Sequence, residues 1–291
     1  MSDLKLKINK NKGKFVKKMV ARLFIFAFFL WLAISQADVL LTVLSYQTKP
    51  EINFLDVGQG DAILIKTPNG QTILIDGGPD NKVLRRLGES LPFYRRQIDL
   101  VIFSHYHDDH VIGLIEILKR YRVQKIIYAA SGSEITATAA ILLKKAELEK
   151  IPVITIDKQA SLNLGDDCIL DLLNPASLGI KVDPNNSLVV KLNCAGKKFL
   201  FSGDNSAIVE KALLNSGFDL AADVFKASHH GSNSANSEKF FRAVGPELLV
   251  IPVGADNKFG HPSPKILERA AALGINIKRT DKDGDIKISP R

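Results

Sequence analysis

A chain of 291 residues with 46% hydrophobic and 24% charged side chains has the composition of a globular protein, with apolar residues enough for one large core or two modest ones. Its net charge of +8 is unevenly placed: residues 1–22 hold eight Lys and Arg side chains against Asp3 alone, and the other 269 residues carry about +1. The basic excess belongs to a tail, which excludes a general nucleic-acid-coating surface on the rest, and two cysteines exclude a disulfide framework.

After the tail comes the apolar run Leu23-Phe24-Ile25-Phe26-Ala27-Phe28-Phe29-Leu30-Trp31-Leu32-Ala33-Ile34, then Ser35-Gln36-Ala37-Asp38, then more apolar sequence from Val39 to Leu44. Read as one helix over 23–46, it is long enough to cross a hydrocarbon core of about 30 Å, with the lysines holding the N-terminus in the cytoplasm. Read as a signal peptide, the first run is the h-region and Ser35-Gln36-Ala37 the cleavage site. The anchor is preferred, because the basic segment is long for a signal and apolar character resumes past Ala37. Either reading exports the domain expected over 47–291.

That domain opens with three short strands, Ile52 to Val57, Ala62 to Ile65 and Thr72 to Ile75. Gly58-Gln59-Gly60-Asp61 and Pro68-Asn69-Gly70 turn between them, which predicts an antiparallel meander ending at Asp76-Gly77-Gly78. The pattern then predicts a helix over 82–91, a strand over 98–104, a helix over 112–120, a strand over 123–128, a helix over 134–150 and a strand over 153–156. Further strands are expected at 169–173, 188–194, 198–201, 223–227 and 248–251. Two strand-rich halves interleaved with helices imply a sheet-on-sheet sandwich with helices outside. Cys168 and Cys194 lack CxxC spacing, and the sequence leaves their pairing open.

The chemistry concentrates in His105-Tyr106-His107-Asp108-Asp109-His110, which holds half of the six histidines directly after an apolar strand. Histidines at i and i+2 of an extended turn can point the same way, and Asp109 with His110 begins a second cluster, so one loop can feed two adjacent metal ions. Asp76, Asp204, the His229-His230 pair and His261 also lie just past expected strands. Strand ends are rigid and converge on one edge, so all five sites are candidates for one cleft. Asp204 is the candidate bridge between two ions, and Asp76 a candidate to orient a ligand histidine from behind.

In their order, Asp76-Gly77-Gly78, the H-x-H-x-D-H string, Gly203-Asp204 and the late histidines resemble the metallo-β-lactamase fold superfamily over 52–291. Within it, Phe54-Leu55-Asp56-Val57-Gly58-Gln59-Gly60-Asp61-Ala62, Asn186-Ser187, Ser202-Gly203-Asp204, His229-His230-Gly231-Ser232 and Asn257-Lys258-Phe259-Gly260-His261-Pro262 are similar to the hydrolase domain of ComEC-type competence proteins. The resemblance implies an α/β fold, a four-layer αβ/βα sandwich, here preceded by one N-terminal apolar helix. It implies two divalent ions, zinc or manganese, on His105, His107, Asp109, His110, Asp204 and His230, with His229 and His261 contacting substrate. Members with six ligands carry one more histidine before the bridging aspartate, whereas residues 111–228 contain none; Asn186-Ser187 stands there instead. Relatives often have aspartate at the place of His107. The many-spanning channel segment of full competence proteins is missing, so DNA translocation by this chain is not expected.

The activity implied is that of an exported, membrane-anchored phosphodiesterase or nuclease in which a metal-activated hydroxide attacks phosphorus. Asp109 would orient the nucleophile, and His229 or His261 would bind the phosphate or protonate the leaving oxygen. The near-neutral domain keeps open a smaller exported substrate, a phosphorylcholine ester, lactam or thioester, because extended DNA binding normally needs a basic stripe. From a different class comes a non-catalytic, membrane-anchored metal-binding module.

Overall fold

Short runs of Ile, Val, Leu and Phe bounded by Gly, Asn and Asp turns become strands here, since β-branched and aromatic side chains pack well on a pleated surface. The structure is a computed structural model describing residues 19–20, 22–38, 40–41, 50–129, 134–180, 183 and 185–290. It divides into two units, 1–46 and 47–291. In the first, the described residues between 19 and 41 are helical (α1), and Phe24, Phe26, Phe29 and Trp31 are exposed on it. The lysine-rich tail to residue 18 and residues 42–46 of the expected anchor lie outside the described residues. Among the described residues no helix is long and apolar enough to cross a membrane.

The second unit begins with the expected meander, β1 (Glu51–Phe54), β2 (Ile63–Lys66) and β3 (Thr72–Ile75), in which Ile52 faces Ile65 and Ile63 faces Ile75. Helix α2 (Lys82–Ser90) and a two-residue β4 (Gln97–Ile98) lead to β5 (Leu100–Phe103), then α3 (Asp108–Arg120), β6 (Arg122–Val123), β7 (Ile126–Ala129), α4 (Ala137–Leu148) and β8 (Val153–Ile156). Strands β3, β5, β7 and β8 are parallel neighbours joined through helices, and β4 pairs with β6 in a separate ribbon.

The second sheet repeats this plan. Strands β9 (Ala160–Gly165), β10 (Cys168–Leu173), β11 (Val189–Cys194) and β12 (Lys197–Phe201) form a meander. Then come α5 (Ala207–Leu214), β13 (Val224–Lys226), α6 (Glu238–Val244), β14 (Leu248–Ile251), α7 (Pro264–Ala272) and β15 (Asn276–Arg279), with β12 to β15 parallel. After α8 (Thr280–Asp283), β16 (Ile286–Ile288) crosses back to pair with β1 at the edge of the first sheet.

Alternation along the strands makes the layers. Phe199 and Phe201 face Phe54, Ile63 and Ile75 between the sheets, whereas Leu200 between them packs with Val209, Leu213, Phe240 and Phe241 of the outer helices. Phe54 and Phe201 meet at 5.9 Å between ring centres. Two mixed sheets flanked by helices result, the four-layer αβ/βα arrangement expected. Cys168 and Cys194, adjacent in the same core, form a disulfide.

Three elements differ from expectation, the first being the strand expected over 123–128, which splits into β6 and β7 in different sheets. The strand expected over 98–104 is interrupted at Asp99, whose carboxylate accepts from Thr72 N–H (2.8 Å), Arg95 (2.6 Å) and Gln97 (2.7 Å) and bends the chain there. Helix α3 begins at Asp108, not Ile112, so His110 is helical and only residues 104–107 form the turn. Asp108 and Asp109 fill its first turn, where negative charge complements the unsatisfied amides. Helices α5, α6, α7 and α8 and strands β9, β15 and β16 are additional to the elements expected.

Candidate metal centre

The ends of β3, β5, β12, β13 and β14 each deliver a polar loop to one edge of the sandwich. At the end of β3, Asp76 stands in the left-handed region (φ +60°) and accepts from Ser104 N–H (2.7 Å) and Ser104 Oγ (2.8 Å). Its Oδ2 also lies 2.8 Å from His110 Nδ1, so one buried carboxylate fixes both the turn after β5 and the first turn of α3. Close approach of these segments depends on glycine: a Cβ on Gly113 would stand 1.8 Å from Gly77 O. Ser104 Oγ in turn lies 3.0 Å from His105 Nδ1.

From the second sheet, Asp204 N–H donates to Ser187 Oγ (2.9 Å), and Asn205 clasps Ser187 by exchanging hydrogen bonds with its backbone. His229 and His230 follow β13 with φ of 49° and 51°, a conformation costing about 1–3 kcal/mol each. The turn is held by Asn236, which accepts from Ser228 N–H and donates to Ser228 O and Ser232 O. His230 Nδ1 lies 3.0 Å from Pro252 O.

These constraints consume the outer nitrogens of His105, His110 and His230 and turn their Nε2 atoms inward. All three Nε2 atoms are buried without a hydrogen-bond partner, which fits a metal and is costly otherwise. Two groups of donor atoms each lie within 4.8 Å of one another: Asp109, His110, Asp204 and His230, and His105, His107 and Asp204. Asp204 belongs to both. A third group, Asp61, Asp76 and His110, is no candidate, since the ammonium of Lys226 already pairs with Asp61 and His110 would have to use the nitrogen bonded to Asp76.

Burial opposes ionisation of Asp204, but His230, His110 and Lys226 outweigh it and hold the carboxyl well below the usual range. Burial likewise opposes a charged His110, yet Asp204, Asp76 and Asp109 carry it well above the usual histidine value. Asp109 is also pushed low, against its burial, by His110 and His230. His105 moves down through burial and the neighbouring His110.

A cleft of about 510 Å³ opens above these donors, lined by His107, Asp109, Asp204 and His230 and, at its mouth, by His229, His261 and Phe259. His229 and His261 stand 5.5 Å apart between ring centres, and burial lowers both below the ordinary histidine value. Of the Asn185-Asn186-Ser187 run, Asn185 lines the cleft, Ser187 braces the Asp204 loop and Asn186 is buried. Sequence reasoning missed Lys226 and Asp61. Lys226 is fully buried, donates to Gly203 O (2.9 Å), pairs with Asp61 and lies 3.6 Å from Asp204 Oδ1. A lysine inside the apolar strand Val224-Phe225-Lys226, just before a histidine pair, was the available signal.

A fold of two helix-flanked mixed sheets with histidines and aspartates at the strand ends defines a class. Residues 55–254 match the Metallo-beta-lactamase superfamily model, and the chain belongs to that superfamily. Among curated proteins it is 27% identical over 254 residues to ComE operon protein 3 of Bacillus subtilis and 26% identical over 248 residues to Competence protein ComA of Neisseria gonorrhoeae. These alignments cover 81% and 83% of this chain but only 32% of each relative, so the chain spans about a third of their length. Among solved structures, the diiron β-hydroxylase CmlA of Streptomyces venezuelae matches 82% of the chain and 54% of its own, at TM-score 0.54 and 14% identity. The metallo hydrolase Igni18 of Ignicoccus hospitalis matches 82% of the chain and 98% of its own, at TM-score 0.52 and 16% identity. At such identities the structures share the fold.

Proposed function

We propose that the chain is a metal-dependent phosphodiesterase acting on nucleic acid, in the manner of the hydrolase part of competence proteins. The observation that carries this reading is the pair of donor groups sharing Asp204 at the floor of an open cleft whose mouth holds two further histidines. His105, His107 and Asp204 would hold one ion, and Asp109, His110, Asp204 and His230 the other. Two bound divalent ions, zinc or manganese, supply Lewis acidity toward a phosphoryl oxygen and activate water as nucleophile.

The protein's own groups do the rest. Asp76, Ser104 and the Pro252 carbonyl fix the rings of His110, His105 and His230, so little reorganisation is needed on binding. Asp109, 3.3 Å from His230 Nε2, would orient the attacking water while holding the second ion. Burial lowers both His229 and His261 below the ordinary histidine value, which favours their neutral forms before substrate arrives. An anionic phosphate between them would favour their protonated forms, leaving one to neutralise the phosphate and one to donate to the leaving oxygen.

The test is hydrolysis of single- and double-stranded DNA and RNA by the purified full-length protein with zinc and with manganese. Cleavage that is lost in Asp204→Ala is expected; an inert protein on all substrates and both metals would overturn the reading. The near-neutral charge beyond the tail supports a second reading, a small exported ester, lactam or thioester. Activity indifferent to salt would favour it, and a steep salt slope would favour nucleic acid. Export and anchoring through the N-terminal segment complete the proposal, supported by its lysine flank, the exposed aromatics of α1 and the Cys168–Cys194 disulfide, a bond of oxidising compartments.

A further inference from the structure

One large aromatic side chain at the mouth of the cleft is left without a structural purpose. Phe259 is 70% exposed, although folding normally withdraws a phenyl ring from water. It does not sit on a slack loop. Asn257 braces the segment from within, donating to Gly254 O (2.8 Å) and His261 O (2.8 Å) and accepting from His261 N–H (3.0 Å). The first half of the chain reaches the same loop, through Gly254 N–H and Gln59 Oε1 (3.3 Å). A fixed loop therefore presents a bare aromatic face at the rim.

The ring's position narrows what it can meet. Phe259 stacks beside His261 with ring centres 5.9 Å apart, and His261 lies 5.5 Å from His229 and 6.5 Å from His230. A flat apolar surface thus stands one ring away from the histidines that face the cleft. A ligand matching this order has an anionic group at the floor and a flat π-surface next to it. A lipid ester would need an apolar trough for its chains, and a sugar phosphate has no flat apolar face. A nucleotide has both parts, and stacking on an aromatic ring is sequence-tolerant, because every base has a π-face.

We propose that Phe259 is the stacking platform for the nucleobase next to the phosphodiester in the cleft, which makes the substrate single-stranded nucleic acid. The proposal rests on the phosphodiester reading above and adds the base and the strandedness. A base inside a duplex is stacked on both faces and offers the ring none.

Equilibrium binding separates it from that reading. The probes are a fluorescein-labelled, hydrolysis-resistant phosphorothioate decathymidylate, an abasic decamer of the same length and a blunt duplex, with the full-length protein and manganese. Phe259→Ala should weaken the decathymidylate by about 5- to 150-fold, the loss of one stacked base. It should leave the abasic decamer unchanged, and Phe259→Trp should restore the affinity. The wild type should bind the duplex more weakly than the single strand. Equal loss on both decamers, no loss on either, no binding of any probe, or a duplex bound as tightly as the single strand would overturn the platform. Turnover of ordinary decathymidylate is read separately: base-dependent binding without cleavage would remove the phosphodiesterase reading and keep the platform, and cleavage without base dependence would do the reverse. The melting temperature of Phe259→Ala should match the wild type, since the ring buries little.

Discussion

At residue scale the centre is built from carboxylates and nitrogens that each hold one neighbour and leave one atom free. Asp76 shows what this implies: with its carboxylate gone, His110 loses the partner of Nδ1 and Ser104 loses two hydrogen bonds. Asp76→Ala should lower metal affinity by about 10–100-fold, measured by competition with a chelator of known strength. Lys226 supports the site differently. Its ammonium faces Asp61 and the far oxygen of Asp204, and burial without it would strand two carboxylates. Lys226→Met should cost about 3–5 kcal/mol in denaturant unfolding, and Lys226→Met with Asp61→Asn should recover part of that loss. His261 donates no bond that holds the donor cluster together. His261→Ala should therefore keep both metals by elemental analysis while losing about a hundredfold or more in rate.

At element scale the decisive junction is where α3 leaves β5. The helix starts early enough to place Asp109 and His110 in its first turn, and it lies against the end of β3 only because Gly77 and Gly113 leave no side chains between them. Gly113→Ala forces the segments apart, so a loss of about 1–3 kcal/mol is expected in denaturant unfolding, together with weaker metal binding as Asp76 and His110 separate. Away from the centre, β11 carries Lys191, buried, whose ammonium pairs with Asp219 in the loop after α5. Hydrogen bonding to Lys191 holds the Asp219 carboxyl below its ordinary value of 3.8. A lowered folded-state value means stability present above 3.8 and lost as pH falls through the folded value. Asp219→Asn should thus cost up to about 1 kcal/mol at pH 7, kept small because Asp219 is 66% exposed, and the difference should vanish at low pH.

For the whole molecule, most of the parts are legible in the order of residues alone. The strands ending at Ile75, Phe103, Phe201, Lys226 and Ile251 are legible because apolar runs stop abruptly at polar turns. His107, Asp109, Asp204, His229 and His230, which line the cleft, are legible because each lies just past such a stop. The N-terminal segment is legible as an apolar run behind a basic tail, and its apolar character is a matter of composition alone. The pairings, in contrast, belong to the folded chain. Nothing local joins β16 to β1, Lys226 to Asp61, or Cys168 to Cys194, since partners far apart in sequence are brought together by sheet register and layer packing. Periodicity places the start of α3 too late because it reports the apolar face of a helix, whereas the first turn is set by charge and by the Asp76–His110 contact. Phe259 reads in sequence as one more apolar residue near a turn; that its ring faces the cleft beside His261 comes from the braced loop, which no periodicity records.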